Sequence, residues 1–248
     1  MWRKTTRRGL LLLAVLLAAA ATLTALGLGR GRQDGQRPAD AAAQEAFDEA
    51  VKREGLRGAA RVRGNYVQTY YPHWDMVVLD MERLTRSSEM VVVGVPLDNR
   101  SKLSTAGFIA ETVYDVKIQE VLKGEGLRPG DTIKVALPGG KVRFEDGTTA
   151  ETVTPEFEKM RNGGTYVLYL GTRPAGNGAL YPDSRVVVYN LIAGPQGLFE
   201  LSTEGKVRSH ARPTDTVAKE TKDKHVTMFL TEARALAEKY PRPGKCCK

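Results

Sequence analysis

Cysteine is almost absent from this chain. Only Cys246 and Cys247 occur in 248 residues, which excludes a disulfide-dense scaffold and any zinc module built on several cysteines. Histidine is nearly as scarce. His73, His210 and His225 are the three, and no pair of them has metal-ligand spacing, so no metal site is read from the sequence. Nothing matches a Walker loop or a G-x-S-x-G elbow, and Gly27, Gly29 and Gly31 do not follow a strand, so no nucleotide cofactor is implied either. Twelve Pro and 25 Gly are no excess, which removes collagen-like and wholly disordered classes. No internal repeat or low-complexity domain is present.

Charge of one sign is also lacking where it would matter. The formal net charge is +8, but residues 1–37 hold seven Lys/Arg against one Asp, a net +6. Residues 203–248 hold 11 basic against six acidic residues, a net +5, which leaves residues 38–202 at −3. A central region of that sign does not suit a nucleic-acid partner.

What is present begins at the N-terminus. Arg3, Lys4, Arg7 and Arg8 precede an uncharged run from Gly9 to Gly29. As a helix, 21 residues rise about 31 Å, close to the roughly 30 Å hydrocarbon core of a bilayer. The basic flank stays cytoplasmic by the positive-inside rule, which places the rest of the chain outside the cytoplasm. Two readings stand: an uncleaved signal anchor forming one transmembrane helix over residues 9–29, or a cleaved signal peptide with Ala19-x-Ala21 as one cleavage candidate. No Cys stands at the end of the run, the first being Cys246, so a lipid-modified N-terminus is excluded.

Residues 30–88 read as a linker followed by a helical and aromatic segment. Arg30 to Asp40 is Gly-, Arg- and Gln-rich and reads as a flexible exit. Pro38 and Asp40 introduce a helix carrying Ala43, Ala46, Phe47, Ala50 and Val51 at helical spacing, with Gly55 as its stop. A second short helix is expected from Asp75 to about Ser87. Residues 89–202 then change to short strands. Met90 to Val95 is apolar on both faces, and Glu111 to Gln119 alternates with period two. Ile133, Val135 and Leu137 alternate again. Thr165 to Leu170, Arg185 to Ile192 and Leu198 to Leu201 complete six expected strands, with a long loop from Gly139 to Gly164. Punctuation by Gly-Gly, Asp-Gly and Pro-Gly points to a mainly β fold with flanking helices around a small antiparallel barrel. In residues 203–248, Ser209 to Lys222 lacks periodicity and is expected to be irregular. Val226, Phe229, Leu230, Ala233, Leu236, Ala237 and Tyr240 then trace the face of a C-terminal amphipathic helix packed on the barrel.

The stretches SSEMVVVGVPL, TVYDVKIQEVLKGEGLRPGDTIKVALPGG, NGGTYVLYLG and LIAGPQGLFEL occur in a recognisable order over residues 80–202. In this the chain resembles uncharacterised bacterial exported proteins whose core is similar to the OB-like barrel of the netrin-like and metalloproteinase-inhibitor (TIMP-like) group. The resemblance implies a fold rather than an activity, because it rests on strands and turns. Members of the animal group act through a cysteine-led N-terminal edge, and this chain has no Cys before Cys246.

Three sets of residues carry the candidate chemistry. Tyr70, Tyr71, His73, Trp74 and Asp75 gather aromatics with a His and a carboxylate; such a cluster suits a stacking platform for a sugar or peptide, or simply caps one end of a barrel. The 139–164 loop holds Glu145, Asp146, Glu151, Glu156 and Glu158 without the spacing of a dedicated calcium loop, and reads as a solvated acidic segment. Cys246 and Cys247, as neighbours about 3.8 Å apart, are poorly placed to bridge each other, since disulfide Cα atoms prefer separations of about 4.4–6.8 Å. They pair between chains as a disulfide-linked homodimer, or stay free. With no catalytic acid, base and nucleophile set apparent, the chain reads as a non-enzymatic, membrane-tethered extracytoplasmic binding module of the bacterial cell envelope, with a protein or glycan partner. The alternative is an exported hydrolase using His73 and Asp75 or the Glu-rich loop.

Overall fold

The computed structural model describes residues 36–72, 80–104, 106–172 and 186–241. The chain divides into two compact units, Met1–Glu49 and Ala50–Lys248. Helix α1 (Gln36–Glu54) stops at Gly55, as the sequence pattern indicates, but it starts at Gln36, so residues 36–40, read as the end of a flexible linker, are helical. In the first unit it is exposed and holds a Gln44–Asp48 side-chain hydrogen bond of 2.8 Å. The apolar run 9–29 lies outside the described residues, among which no helix is long and apolar enough to cross a membrane.

The second unit is mainly β. It contains α2 (Leu56–Arg63), β1 (Asn65–Thr69), α3 (Met81–Ser87), β2 (Met90–Leu103), β3 (Ala110–Lys123), β4 (Thr132–Pro138), β5 (Gly140–Arg143) and β6 (Thr149–Val153). After these come β7 (Thr165–Thr172), β8 (Val188–Leu191), a 3₁₀ turn at Gly194–Gly197, β9 (Leu198–Leu201), β10 (Val207–Ser209), α4 (Thr216–Thr221) and α5 (Val226–Lys239).

The larger sheet has the order β10-β9-β7-β2-β3-β4-β8, and β8 turns back to pair with β7. Strands β2, β3, β4, β8 and β7 therefore form a partly closed ring. Its interior is filled by alternate residues of each strand: Tyr114, Val116 and Ile118 of β3 meet Val135 and Leu137 of β4 and Leu168 of β7. The half-buried period of the sequence survives as this inward set. The continuous apolar runs have a different cause. Val91, Val93, Val167 and Tyr169 point away from the ring and are buried a second time, beneath Leu84 of α3 and Phe229 of α5. Two buried faces leave no place for polar alternation. Gly94 interrupts that run because a Cβ there would lie 2.5 Å from the Val116 side chain of β3.

Three expectations are corrected. The ring is not wholly antiparallel, since β4 and β8 run parallel. The stretch from Gly139 to Gly164 is not one loop: β5 and β6 form a hairpin within it, and β1 joins β6 in parallel to make a separate sheet of order β1-β6-β5. That sheet packs Ala150 and Phe144 on Leu56 and Ala60 of α2 and on Ala110. Finally, Ser209 to Lys222 is not irregular throughout, because β10 ends there and α4 buries Val217 and Thr221. The C-terminal helix agrees with its pattern: Phe229, Ala233 and Ala237 of α5 are buried.

Candidate functional site

The small sheet brings the aromatic segment and part of the acidic segment together. Register pairs Val67 with Glu151 and Thr69 with Val153, and the pairing continues one step further, where the Tyr70 N–H donates to the Val153 carbonyl at 2.8 Å. Tyr71 follows with 66% of its surface exposed, and Val67 of β1 and Val153 of β6 are exposed to 61% and 38%. His73, Trp74 and Asp75 lie outside the described residues, as do Cys246 and Cys247.

Where β6 meets the ring there is a pocket of about 100 Å³, lined by Thr112 and Tyr114 of β3, Glu151, Thr152 and Val153 of β6, and Phe157. Leu137 and Pro138 of β4 complete its wall, and Glu158 and Lys159 also line it. The wall is held rigid by its own hydroxyls. Thr112 Oγ1 donates to the Gly139 carbonyl at 2.7 Å, Thr152 Oγ1 accepts from the Ala110 N–H at 2.8 Å, and Thr154 Oγ1 donates to the Pro138 carbonyl at 3.1 Å. Burial raises the Tyr114 phenol to about 12, against a hydrogen bond with the Met160 backbone, so it stays protonated at neutral pH. What this pocket offers a ligand is an aromatic floor with carboxylate and ammonium groups at the rim.

The remaining acidic residues go elsewhere. Asp146 accepts from the Thr148 N–H at 3.0 Å and from its hydroxyl, which holds its carboxyl below the usual range; it shapes the β5–β6 turn. Glu156 pairs with Arg212, and Glu158 with Arg208. Arg208 also reaches Glu200 at 3.1 Å, and Arg161 pairs with the same carboxylate, whose side chain is 6% exposed. Burial opposes ionisation of Glu200, but the two guanidinium groups outweigh it and its carboxyl is lowered. Beside this network His210 has a buried Nε2 without a hydrogen-bond partner among the described residues. Burial, then Arg208, hold the imidazole below its usual range, so it is neutral at pH 7. Sequence reading passed over Glu200, Arg161 and Arg208, although one signal existed: Glu200 stands inside the apolar run Leu198-Phe199-Glu200-Leu201, where a carboxylate needs a cation.

Two further features complete the polar map. A depression of about 130 Å³ on the β2, β3 and β4 strands is lined by Arg100, Lys102, Val113, Asp115 and Lys134, with Lys134 paired to Asp115 at 2.5 Å. Lys123, at the end of β3, is 4% exposed and donates to the Thr85 carbonyl at 2.7 Å. Burial draws its ammonium down to about 8. Among the described residues no group of three or more His, Cys, Asp or Glu is placed to hold a metal ion. No protein family matches the chain, and no curated protein matches it.

Proposed function

We propose that the chain is a binding module held at the outer side of a bacterial cell membrane by residues 9–29, with an OB-like barrel as its body and a cell-envelope protein or glycan as its partner. The observation that carries this reading is the pocket between the ring and the small sheet, set beside the exposed Tyr71. Five strands in Greek-key order with incomplete closure suit an OB-like barrel, and such barrels use the face of their second and third strands for ligands. Here those strands are β3 and β4, which supply Thr112, Tyr114, Leu137 and Pro138 to the pocket. The basic flank and 21-residue apolar run support the address.

The test is a photo-crosslinking residue placed at position 71 of the full-length chain in cells, with one at Met228, exposed to 60% in α5, as the control. The expected result is one reproducible envelope protein or glycan adduct from position 71. Val153→Asp, at the pocket wall, should reduce the adduct at least fivefold while leaving the melting temperature within about 2 °C. Adducts from position 71 that match those from position 228 overturn the reading.

A further inference from the structure

The edges of the two sheets differ in how they are finished. At β10 the Val207 N–H donates to the Lys224 carbonyl at 3.0 Å, and Lys206 bridges to His225, so that edge is covered. At β5 the Lys141 N–H reaches Ser101 Oγ at 3.3 Å. The part of β2 that extends past its pairing with β7 carries Asp98, Arg100 and Lys102, and its register shifts between Pro96 and Asp98. Charges and irregular register are the usual guards of a strand edge.

Strand β1 has none of these. The Gly64 carbonyl accepts from the Thr149 N–H and the Tyr70 N–H donates to the Val153 carbonyl, so the even-numbered residues turn their backbone groups to β6. Alternation then points the N–H and C=O of Asn65, Val67 and Thr69 away from the sheet. Among the described residues no group bonds to them. The register with β6 is unbroken, the odd-numbered residues are exposed, and Asn65 to Tyr71 (NYVQTYY) contains no charge, Gly or Pro. Val67 and Tyr71, exposed to 61% and 66%, add apolar surface on the same segment.

We infer that β1 is a strand-addition site that captures an extended, uncharged peptide segment of a partner protein, with β-branched or aromatic side chains at alternate positions. The main-chain groups of three β1 residues supply the hydrogen bonds, and Val67 and Tyr71 select the side chains. A peptide fits better than a second copy of this chain. Folded partners that associate stably bury roughly 800 Å² each from about 20–30 residues, and a five-residue edge gives a small fraction of that. Capture of an extended segment needs only the backbone row. The site shares Tyr71 with the binding surface proposed above but not the junction pocket, whose lining does not include Val67, so loss of binding in the Val67 variants tests the strand edge alone.

The full chain, purified in detergent, is used to select binders from a displayed library of random octapeptides. The variant Val67→Pro deletes one outward N–H and leaves every β1–β6 hydrogen bond in place, because those use the even-numbered residues. Val67→Lys puts a charge on the same edge and keeps the backbone. The expected result is a set of alternating apolar peptides that bind wild type and lose at least tenfold in affinity on both variants, with melting unchanged. Deuterium exchange of the unliganded chain should show fast Val67 and Thr69 amides beside slow Gln68 and Tyr70 amides. The proposal is overturned by selected peptides that bind Val67→Pro as well as wild type, or by an empty selection. Slow exchange at Val67 in the free monomer also overturns it, because the edge is then already covered. A wild-type dimer that Val67→Pro returns to monomer assigns the edge to a second copy instead.

Discussion

Lys123 shows how burial decides the behaviour of a single residue. Its ammonium is surrounded by protein and, among the described residues, bonded to a carbonyl and not to a carboxylate, so the charge is poorly compensated. Its folded value of about 8 lies below the ordinary lysine value of 10.5. Between those values the unfolded chain binds more protons than the folded one, so stability rises with pH across that window. Lys123→Met is expected to stabilise the protein by about 1–2 kcal/mol at pH 7. Urea unfolding at pH 7 and pH 10 checks this: the gain should shrink at the higher pH, and an equal gain at both values contradicts the burial argument. Glu200 is the opposite case, a buried carboxylate with two guanidinium partners that hold it ionised. The sequence shows both residues, but their environments are set by partners as remote as Arg161, thirty-nine positions before Glu200.

At the scale of elements, legibility followed the origin of each pattern. Strands β3 and β4 were readable where inward Val116, Ile118 and Ile133 alternate with the less buried Asp115, Lys117, Gln119 and Lys134, which prints a period of two. Helix α5 was readable because its apolar stripe has somewhere to go. Its buried Phe229 packs on Phe199 at 5.0 Å between ring centres. Phe229→Ala is expected to cost about 3–5 kcal/mol, seen in a chemical-denaturation midpoint; a loss under 1 kcal/mol would mean that the helix is not part of the folded core. Strands β5 and β6 were not readable. Lys141 and Glu151 have weak strand preference, the strands are only four and five residues long, and their hairpin is fixed by contacts with α2 and with β1, whose Asn65 pairs with Thr149 eighty-four residues later. The candidate site was half legible for the same reason. Tyr70 and Tyr71 stand out as local composition, whereas their placement beside Glu151 and Val153 comes from that long-range parallel pairing. Gly55 belongs here too: its φ of 59° and the Gly107 carbonyl, 2.4 Å from where a Cβ would sit, leave room for no side chain.

For the whole molecule, the charge imbalance between segments has a structural outlet. The basic residues of the C-terminal segment bind the acidic body: Arg208 and Arg212 take Glu158, Glu200 and Glu156, Arg234 takes Glu120 at 2.8 Å, and Lys239 takes Glu82 at 3.5 Å. Part of the basic excess of the C-terminal segment is thus taken up inside the fold. The tethered reading makes its own prediction about the intact chain. Non-reduced mass measured on separated fractions should give the full-length 27.2 kDa species in the membrane. A soluble species shortened near residues 21–30 would make it a secreted protein instead, and a doubled mass halved by reduction would place Cys246 or Cys247 in a dimer. The ring also sets an order of assembly. Met90 of β2 pairs with Leu170 of β7, eighty residues later, and neither the parallel β4–β8 seam nor the parallel β1–β6 pair joins neighbours in sequence. A chain that emerges N-terminus first therefore completes β2, β3 and β4 as an unfinished meander, its apolar edge uncovered until β7 follows. Folding rests on late, distant closures, which are slow, and the interval is when this protein is most open to a chaperone or a protease.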